Sequence, residues 1–289
     1  MYPATFEYFA PTSLDEAVSI LQRFGDEAKV LAGGQSLIPV MKLRIASPGA
    51  LVDINRIEGL DRLEQENGHL VIGALVRHRT CERSELLRGR YGVLGAAAPL
   101  ISDPIVRNRG TVCGSLAHAD PQGDWGSALL ALGAELLVRG TDGSRTVPLD
   151  DFLLGPFMTT LGPAEVIAEV RVPDPGPRAG GTYLKLERKV GDFATAAVAA
   201  HVSLDGDTVA RAGIALTGVG ARNIRAAEAE TALAGAEPTE DAIREAARLA
   251  AEAADPVSDH RGSADYKRNV VRIFTERGLR TAVEAARAA

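Results

Sequence analysis

Two glycine-rich segments constrain this chain more than any other feature of its sequence. The first is AGGQS at residues 32–36, and the second is TVCGS at residues 111–115. Small residues let a backbone approach a ligand closely, and neighbouring N–H groups can then converge on one anion. One such segment is typical of a turn, but two in a chain of 289 residues indicate that both segments bind one diphosphate. The pair therefore predicts a large nucleotide cofactor.

The composition argues against several other classes of protein. A net charge of −6 provides no basic surface for nucleic acid, and an apolar content of 46% is enough for a packed core. Cys81 and Cys113 lack the spacing of a metal site, so we expect no disulfide framework, zinc site or iron–sulfur cluster on this chain. The N-terminal residues do not resemble a signal peptide, and no apolar run reaches about 18 residues. A cytoplasmic protein without a transmembrane segment is the expectation.

Capping residues and periodicity predict alternating helices and strands in the first half of the chain. Ser13 and Glu16 form a capping box for a helix that Gly25 would end. A strand over residues 28–31 would run into the first glycine segment, and Asn67-Gly68 predicts a hairpin turn within 61–75. Residues 101–124 are dense in Gly, Pro, Asp, Asn and His, which favours an extended functional loop. Four further helices are predicted, over 37–44, after a cap at Thr80, over 91–100 and over 125–132. Strands are predicted over 51–54 and 165–172, and a hairpin is predicted from 135–139 and 144–148.

The segment from residue 173 to residue 181 predicts a linker, because it holds three prolines and three glycines. Three strand-like runs follow it, over 182–187, 195–204 and 209–217. Three helical runs come after them, and a sheet carrying helices would form a separate domain. The helical runs cover 224–233, 239–254 and 264–287.

Other nucleotide folds fit the sequence less well. The string GVGARN at residues 218–223 has two of the glycines of a dinucleotide-binding Rossmann site. It lacks the third glycine, and no repeating βαβ pattern surrounds it, so we interpret it as a turn between a strand and a helix. The chain also lacks the P-loop lysine motif, which argues against ATP hydrolysis.

Three longer motifs share a known family pattern. They are LAGGQSLIPVMKLR at 31–44, RNRGTVCGSLAHADP at 107–121 and LERKVGDFA at 186–194. Their sequences, order and spacing resemble the FAD-binding medium subunits of the molybdenum hydroxylases, and the similarity extends over essentially the whole chain. The resemblance implies an α+β fold, with a two-lobed FAD-binding domain of the vanillyl-alcohol-oxidase type at 1–175. Its lobes would cover about 1–55 and 56–175, and a three-stranded sheet with helices would form the C-terminal domain at 182–289.

The resemblance also implies partners. A large subunit with molybdopterin would oxidise the substrate, and a small subunit would carry two [2Fe–2S] clusters. This chain would pass electrons through FAD to an external acceptor, which could be a quinone, a cytochrome, oxygen or NAD. The assembly would be a dimer of heterotrimers in the cytoplasm, or held by the complex at the inner face of the membrane. No metal and no catalytic acid–base residue are expected on this chain.

The family pattern places the cofactor on both glycine segments. Asp124 would accept hydrogen bonds from flavin ribityl hydroxyls, and the positive charge of Lys185 would favour reduced, anionic flavin. Ile101 and Leu161 would pack near the flavin, and Phe193 would face the isoalloxazine ring. The predicted cofactor-binding residues are Lys29, Val30, Leu31, Ala32, Gly33, Gly34, Gln35, Ser36, Ile101, Gly110, Thr111, Gly114, Ser115, Ala117, Asp124, Leu161, Lys185 and Phe193.

Two residues depart from the family pattern. The family commonly has glycine where Cys113 stands, and a left-handed backbone at a cysteine would cost free energy. Many relatives have tyrosine where Phe193 stands, and phenylalanine keeps the stacking face but loses the hydroxyl. Among the histidines, His118 is interpreted as a structural or FAD-loop residue, and His69 and His78 as exposed or close to turns.

Two other functions stay open on the sequence. A free-standing FAD-dependent oxidoreductase acting on its own small substrate would need a general base, and the sequence offers no strong candidate. A non-catalytic binding module that has lost the flavin is also conceivable, but intact glycine segments argue against it.

Overall fold

Three sheets and a short hairpin organise residues 2–289, which are the residues that the computed structural model describes. Helices lie between and over these sheets. The strands are β1 (Glu7–Phe9), β2 (Ala28–Leu31), β3 (Ala50–Asp53), β4 (Leu63–Glu66), β5 (His69–Gly73), β6 (Glu135–Gly140), β7 (Gly143–Pro148), β8 (Leu153–Gly155), β9 (Met158–Thr159), β10 (Val166–Pro173), β11 (Ala179–Leu186), β12 (Ala196–Asp205), β13 (Thr208–Thr217) and β14 (Ile224–Arg225). The helices are α1 (Leu14–Phe24), α2 (Leu37–Lys42), α3 (His78–Arg83), α4 (Gly92–Ala97), α5 (Pro104–Arg107), α6 (Val112–His118), α7 (Asp124–Ala131), α8 (Leu149–Phe152), α9 (Ala227–Leu233), α10 (Glu240–Ala253) and α11 (Ala264–Ala288).

The N-terminal lobe is a parallel sheet in the order β1-β3-β2, covered by α1. Ser13 caps α1 as predicted, because its side chain accepts a hydrogen bond from the Glu16 N–H at 3.2 Å. Gly25 ends the helix with a φ of 54°. The buried residues of α1 are Ala17, Val18 and Leu21. Strand β2 leads directly into the first glycine segment.

The second lobe is an antiparallel sheet in the order β4-β5-β10-β6-β7. Its first hairpin turns at Asn67 and Gly68 with φ values of 51° and 78°, which confirms the turn predicted there. Two predictions for this lobe were wrong. Helix α3 begins at His78, so Thr80 lies inside it and does not cap it. Residues 101–124 contain α5 and α6, because the side chains of Asp103 and Thr111 cap these two short helices.

The C-terminal sheet has the order β11-β12-β13-β14, one strand more than predicted. The extra strand, β14, occupies the start of the predicted helix over 224–233, and α9 begins only at Ala227. Glu230 explains the difference, since its carboxylate accepts from the Ile214 N–H at 2.9 Å and from Arg225 Nε at 2.7 Å. Residues 218–223 therefore join two strands, and not a strand to a helix as predicted. Strand β11 also begins inside the predicted linker.

Strand β12 is buried on both faces and joins the two parts of the molecule. Ala196, Val198 and Ala200 belong to the core beneath α10 and α11. The alternate residues Ala197 and Ala199 belong to the other core, which includes α7. Side chains alternate across a strand, so a run of small apolar residues can pack on both sides. All eight residues of α7 are buried between the two parts.

We found that none of the helices in residues 2–289 combines the length and apolarity that a bilayer-spanning segment needs.

Gly213 tests the packing of β13 on α7. A Cβ atom at Gly213 would collide with the carbonyl oxygen of Ala131 in α7. Gly213→Ala is expected to lower the free energy of unfolding by about 1–3 kcal/mol, because overpacking shifts backbone in a close-packed core. Gly155→Ala is the matched control, since a Cβ atom there meets nothing within 4 Å. Urea unfolding followed by circular dichroism measures both, and equal midpoints for the two variants would contradict this packing.

Candidate functional site

A cleft of about 730 Å³ lies where the two glycine segments meet the C-terminal sheet. The first segment touches Arg109 and Gly110, the two residues that lead directly into the second segment. A Cβ atom on Gly33 would lie 2.7 Å from Gly110 Cα and closer still to the Arg109 carbonyl oxygen. Gly34 has a φ of +72°, a conformation that L-residues rarely adopt. Glycine is therefore required at both positions for this contact.

The cleft contains every predicted cofactor-binding residue except Leu31. Leu31 lies just behind the wall, with its Cδ1 atom 3.1 Å from the position of a Cβ atom on Gly34. The lining residues that the sequence predicted are Lys29, Val30, Ala32, Gly33, Gly34, Gln35, Ser36, Ile101, Gly110, Thr111, Gly114, Ser115, Ala117, Asp124, Leu161, Lys185 and Phe193.

The first glycine segment presents free backbone N–H groups. Within residues 2–289, the N–H groups of Gly33, Gly34, Gln35 and Ser36 donate to no other protein group. The turn is held instead through its carbonyl groups, because the Ile38 N–H donates to the Gly34 oxygen at 3.0 Å. Backbone N–H groups need a partner, and successive ones can surround an anion. This segment can therefore hold a negatively charged group.

The second segment is built differently, as the first turn of α6. Thr111 Oγ1 accepts from the Gly114 N–H at 3.1 Å, and a Cβ atom on Gly114 would lie 2.6 Å from that oxygen. The Ser115 N–H likewise donates to the Thr111 carbonyl at 3.0 Å. These N–H groups are therefore already paired, unlike those of the first segment. The N–H groups of Thr111 and Cys113 donate to no protein group within residues 2–289. This segment can therefore donate these two N–H groups and the hydroxyl hydrogens of Thr111 and Ser115 to a ligand.

Cys113 causes no strain in this arrangement. It lies in the first turn of α6 and is not among the residues with a positive φ, so the left-handed backbone considered from the sequence does not occur. Its side chain is buried, and burial raises the pKa of the thiol far above the usual range. A neutral buried thiol is a poor nucleophile, so Cys113 acts here as a small apolar residue.

A pair of polar residues that sequence reasoning missed connects the two segments. Asn55 Nδ2 donates to the Ala32 carbonyl at 2.8 Å, and Arg77 Nη1 donates to the Arg109 carbonyl at 2.9 Å. Arg77 Nη2 also donates to Asn55 Oδ1, which closes the link. We call Asn55 and Arg77 the brace. Burial lowers the pKa of Arg77, but a guanidinium stays protonated in proteins.

An ion cluster forms the wall at the C-terminal sheet. Lys185 Nζ lies 2.9 Å from Asp124 Oδ2 and 3.5 Å from Glu187 Oε2, and it donates to the Leu100 carbonyl at 2.9 Å. Tyr183 donates to Asp124 Oδ1 at 2.8 Å, and burial raises the pKa of Asp124. Both oxygens of Asp124 thus already accept one hydrogen bond each. Two carboxylates balance the charge of Lys185, so its electrostatic effect on a bound group is weaker than that of an isolated lysine.

Phe193 lies half exposed at the mouth of the cleft, on a loop held by a distant residue. Arg261 Nη1 donates to the Phe193 carbonyl at 2.9 Å, and Arg261 Nη2 lies 3.2 Å from Asp192 Oδ1. The same carboxylate accepts from the Phe193 N–H at 2.8 Å. The hydrogen bond from Arg261 lowers the pKa of Asp192 well below its usual range. No local sequence signal links residue 261 to residue 193, so only the structure shows this support.

His78 differs from its prediction. It is 5% exposed and forms part of the cleft wall, where Trp125 Nε1 donates to its Nδ1 atom at 2.9 Å. Burial lowers the pKa of His78 to about 4, so the ring is neutral at physiological pH. His69 lies next to the hairpin turn as predicted. His118 faces the ring of Phe157 with the centroids 5.1 Å apart, a structural contact.

Other features of residues 2–289 offer less chemistry. A wider, shallower depression of about 810 Å³ is lined by Arg62, Arg139 and Glu169, among others. Arg62 pairs with Glu169, and Arg139 pairs with Asp15, so these charges are already satisfied. Within residues 2–289, no group of three or more His, Cys, Asp or Glu side chains could hold a metal ion.

Known proteins of one family resemble this chain over nearly its whole length. The family profile described as the FAD binding domain in molybdopterin dehydrogenase matches residues 4–175, and the CO dehydrogenase flavoprotein C-terminal domain matches residues 181–282. The chain is 43% identical over 282 residues to the carbon monoxide dehydrogenase medium chain of Hydrogenophaga pseudoflava, with 98% of each chain covered. It is 38% identical to the 6-hydroxypseudooxynicotine dehydrogenase complex subunit alpha of Paenarthrobacter nicotinovorans, covering 99% of this chain and 97% of that one.

A solved structure shares the fold. It is the carbon monoxide dehydrogenase from Hydrogenophaga pseudoflava that lacks the Mo-pyranopterin moiety of the molybdenum cofactor. The match has a TM-score of 0.94 at 44% sequence identity and covers 99% of both chains. Sequence profiles and fold therefore agree with the three motifs at residues 31–44, 107–121 and 186–194. The chain belongs to the family of FAD-binding medium subunits of the molybdenum hydroxylases.

Proposed function

We propose that this chain holds FAD in the cleft and relays electrons from the [2Fe–2S] clusters of a partner subunit to an external acceptor. The four free N–H groups of residues 33–36 carry the proposal, because these residues line a cleft that also has apolar walls. FAD combines a diphosphate with large planar rings, and both kinds of surface are present. The cleft volume also falls within the range of about 300–1,000 Å³ that is usual for cofactor sites.

Individual residues would have distinct parts in this binding. The N–H groups of Gly33 to Ser36 would hold the diphosphate, and the hydroxyls of Thr111 and Ser115 would donate from the opposite side. Ile101, Leu161 and Phe193 would supply apolar contact to the flavin. The remaining residues of the predicted set would shape the walls between these groups.

The bound flavin would supply the redox chemistry, and the protein would supply distance, orientation and electrostatics. A free-standing oxidoreductase would also need a base that is free to take a proton from a substrate. His78 and Asp124 are buried titratable groups of the cleft, and both already accept hydrogen bonds from protein donors. Neither of these two groups is therefore free to act as such a base, which agrees with electron relay.

The proposal extends to the assembly. Two relatives named above are a medium chain and a subunit of a dehydrogenase complex. We propose a large molybdenum subunit and a small [2Fe–2S] subunit as partners, in a dimer of heterotrimers. The domain boundaries at residues 175 and 182 and a location at the inner face of the membrane stay predictions.

Reconstitution with FAD tests the binding site. The purified full chain is expected to retain FAD through gel filtration and to show an absorption band near about 450 nm, a property of oxidised flavin. Gly33→Ala is expected to weaken FAD binding at least about tenfold, or about 1.4 kcal/mol, because its Cβ atom would push the two segments apart. Gly155→Ala, outside the cleft, is the control. Protein that stays colourless after incubation with FAD would refute the proposal.

Copurification tests the partners. The tagged chain is expected to recover a large molybdenum-containing subunit and a small cysteine-rich subunit from its own host. Native mass spectrometry is expected to show two copies of each of the three chains. Recovery of the tagged chain alone, with bound FAD, would support the free-standing oxidoreductase instead.

The brace generates a separate prediction. Arg77→Met would release the Arg109 carbonyl and leave Asn55 Oδ1 without its donor. The lost hydrogen bonds are worth about 1–2 kcal/mol of binding free energy, so FAD binding is expected to weaken about 5–30-fold. Arg83→Met is the control, since Arg83 is exposed at the end of α3, the helix that follows Arg77. Fluorescence titration with FAD measures both. The effects of Arg77→Met and Asn55→Ala should not add, because the two residues act together; full additivity would show that they act independently.

A further inference from the structure

His78 is a buried polar residue of the cleft that the proposed binding contacts do not use. It is the first residue of α3, and its backbone N–H donates to the Gly110 carbonyl at 3.0 Å. This bond holds the imidazole next to the second glycine segment. The side chain is nine-tenths buried or more, with 5% of its residue surface exposed.

Trp125 fixes the position of the imidazole proton. An indole N–H can only donate, so His78 Nδ1 must accept the hydrogen bond from Trp125 Nε1 at 2.9 Å. The proton of the neutral ring therefore resides on Nε2. Trp125 is itself fully buried, which leaves its N–H no alternative partner in solvent.

The Nε2–H group has no acceptor within residues 2–289, although the ring lines the cleft. Nε2 lies close to Gly110, the residue before the second segment, where a Cβ atom would lie 2.6 Å from Nε2. Nε2 is not among the fully buried side-chain atoms of residues 2–289 that lack a hydrogen-bond partner, so part of its surface is accessible from the cleft. An arrangement that fixes a donor in this way and leaves it unpaired in a cleft indicates an acceptor on a ligand.

We propose that His78 is a cofactor-binding residue whose Nε2–H donates a hydrogen bond to a diphosphate oxygen of FAD, with Trp125 as the positioning residue that holds the required tautomer. This inference rests on the proposed function. The site would thus combine three kinds of donor: backbone N–H groups of residues 33–36, hydroxyls of the second segment and one neutral imidazole.

The neutral state of the ring suits this task. Burial, together with the positive charges of Arg107 and Arg77, lowers the pKa of His78 to about 4. In the ligand-free cleft the donor is consequently neutral at pH 7. An exposed histidine would instead titrate near its ordinary pKa of about 6.5.

Variants of the full chain, stripped of FAD, test the proposal. His78→Leu removes the donor and is expected to weaken FAD and ADP binding about 5–30-fold. His78→Gln keeps an N–H donor and is expected to retain most of the affinity. Riboflavin lacks the diphosphate, so its binding should not change in either variant. Circular dichroism confirms that each variant is folded.

Nitrogen-15 NMR of the histidine rings gives a readout independent of affinity. The signal that is lost in His78→Gln is expected to show a proton on Nε2 in the wild type and to shift when ADP is added. Trp125→Phe should abolish this single tautomer and weaken ADP binding. A proton on Nδ1, or ADP affinity unchanged in folded His78→Leu, would overturn the inference while leaving the proposed function intact. Wild-type chain that binds neither FAD nor ADP would overturn both.

Discussion

The backbone contact between Gly33 and the Arg109–Gly110 peptide determines the shape of the site. A single added methyl group would separate the two glycine segments, since it would lie 2.7 Å from Gly110 Cα. The brace of Asn55 and Arg77 holds the carbonyl groups on both sides of this contact. The N–H groups of Gly33 to Ser36 have no protein partners within residues 2–289, and these residues line the cleft.

Buried polar groups connect this contact to the rest of the molecule. Helix α7 contributes Asp124 to the ion cluster and Trp125 to the hydrogen bond with His78. The same helix is packed between the first core and the C-terminal sheet. Burial of a charged pair is costly unless further hydrogen bonds satisfy it, and Asp124 and Lys185 both have such bonds. The cleft is therefore formed by both domains, with Lys185 and Phe193 contributed by the second.

Local signals predicted the elements whose ends are set by nearby residues. The Ser13 cap, the Asn67-Gly68 turn and strands β2, β12 and β13 follow from short patterns, and the structure has them. The predictions that were wrong depended on distant partners. Strand β14 forms because Glu230 bonds to Ile214 and Arg225, and His78 is buried because Trp125 packs against it. A window of neighbouring residues contains neither kind of information.

The sequence alone determined the family and the cofactor class, because glycine segments and their flanking strands are local patterns with a fixed order. All but one of the residues that it predicted for the cofactor line the cleft. Tertiary structure alone decided which N–H groups are free and which are paired. It placed Asn55 beside Arg77 and Arg261 beside Phe193, although these residues are far apart in the chain. It also set the protonation of His78, since burial and a neighbouring indole are properties of the folded state. Spacing along the chain specifies which groups are available, and packing in three dimensions specifies what each of them can do.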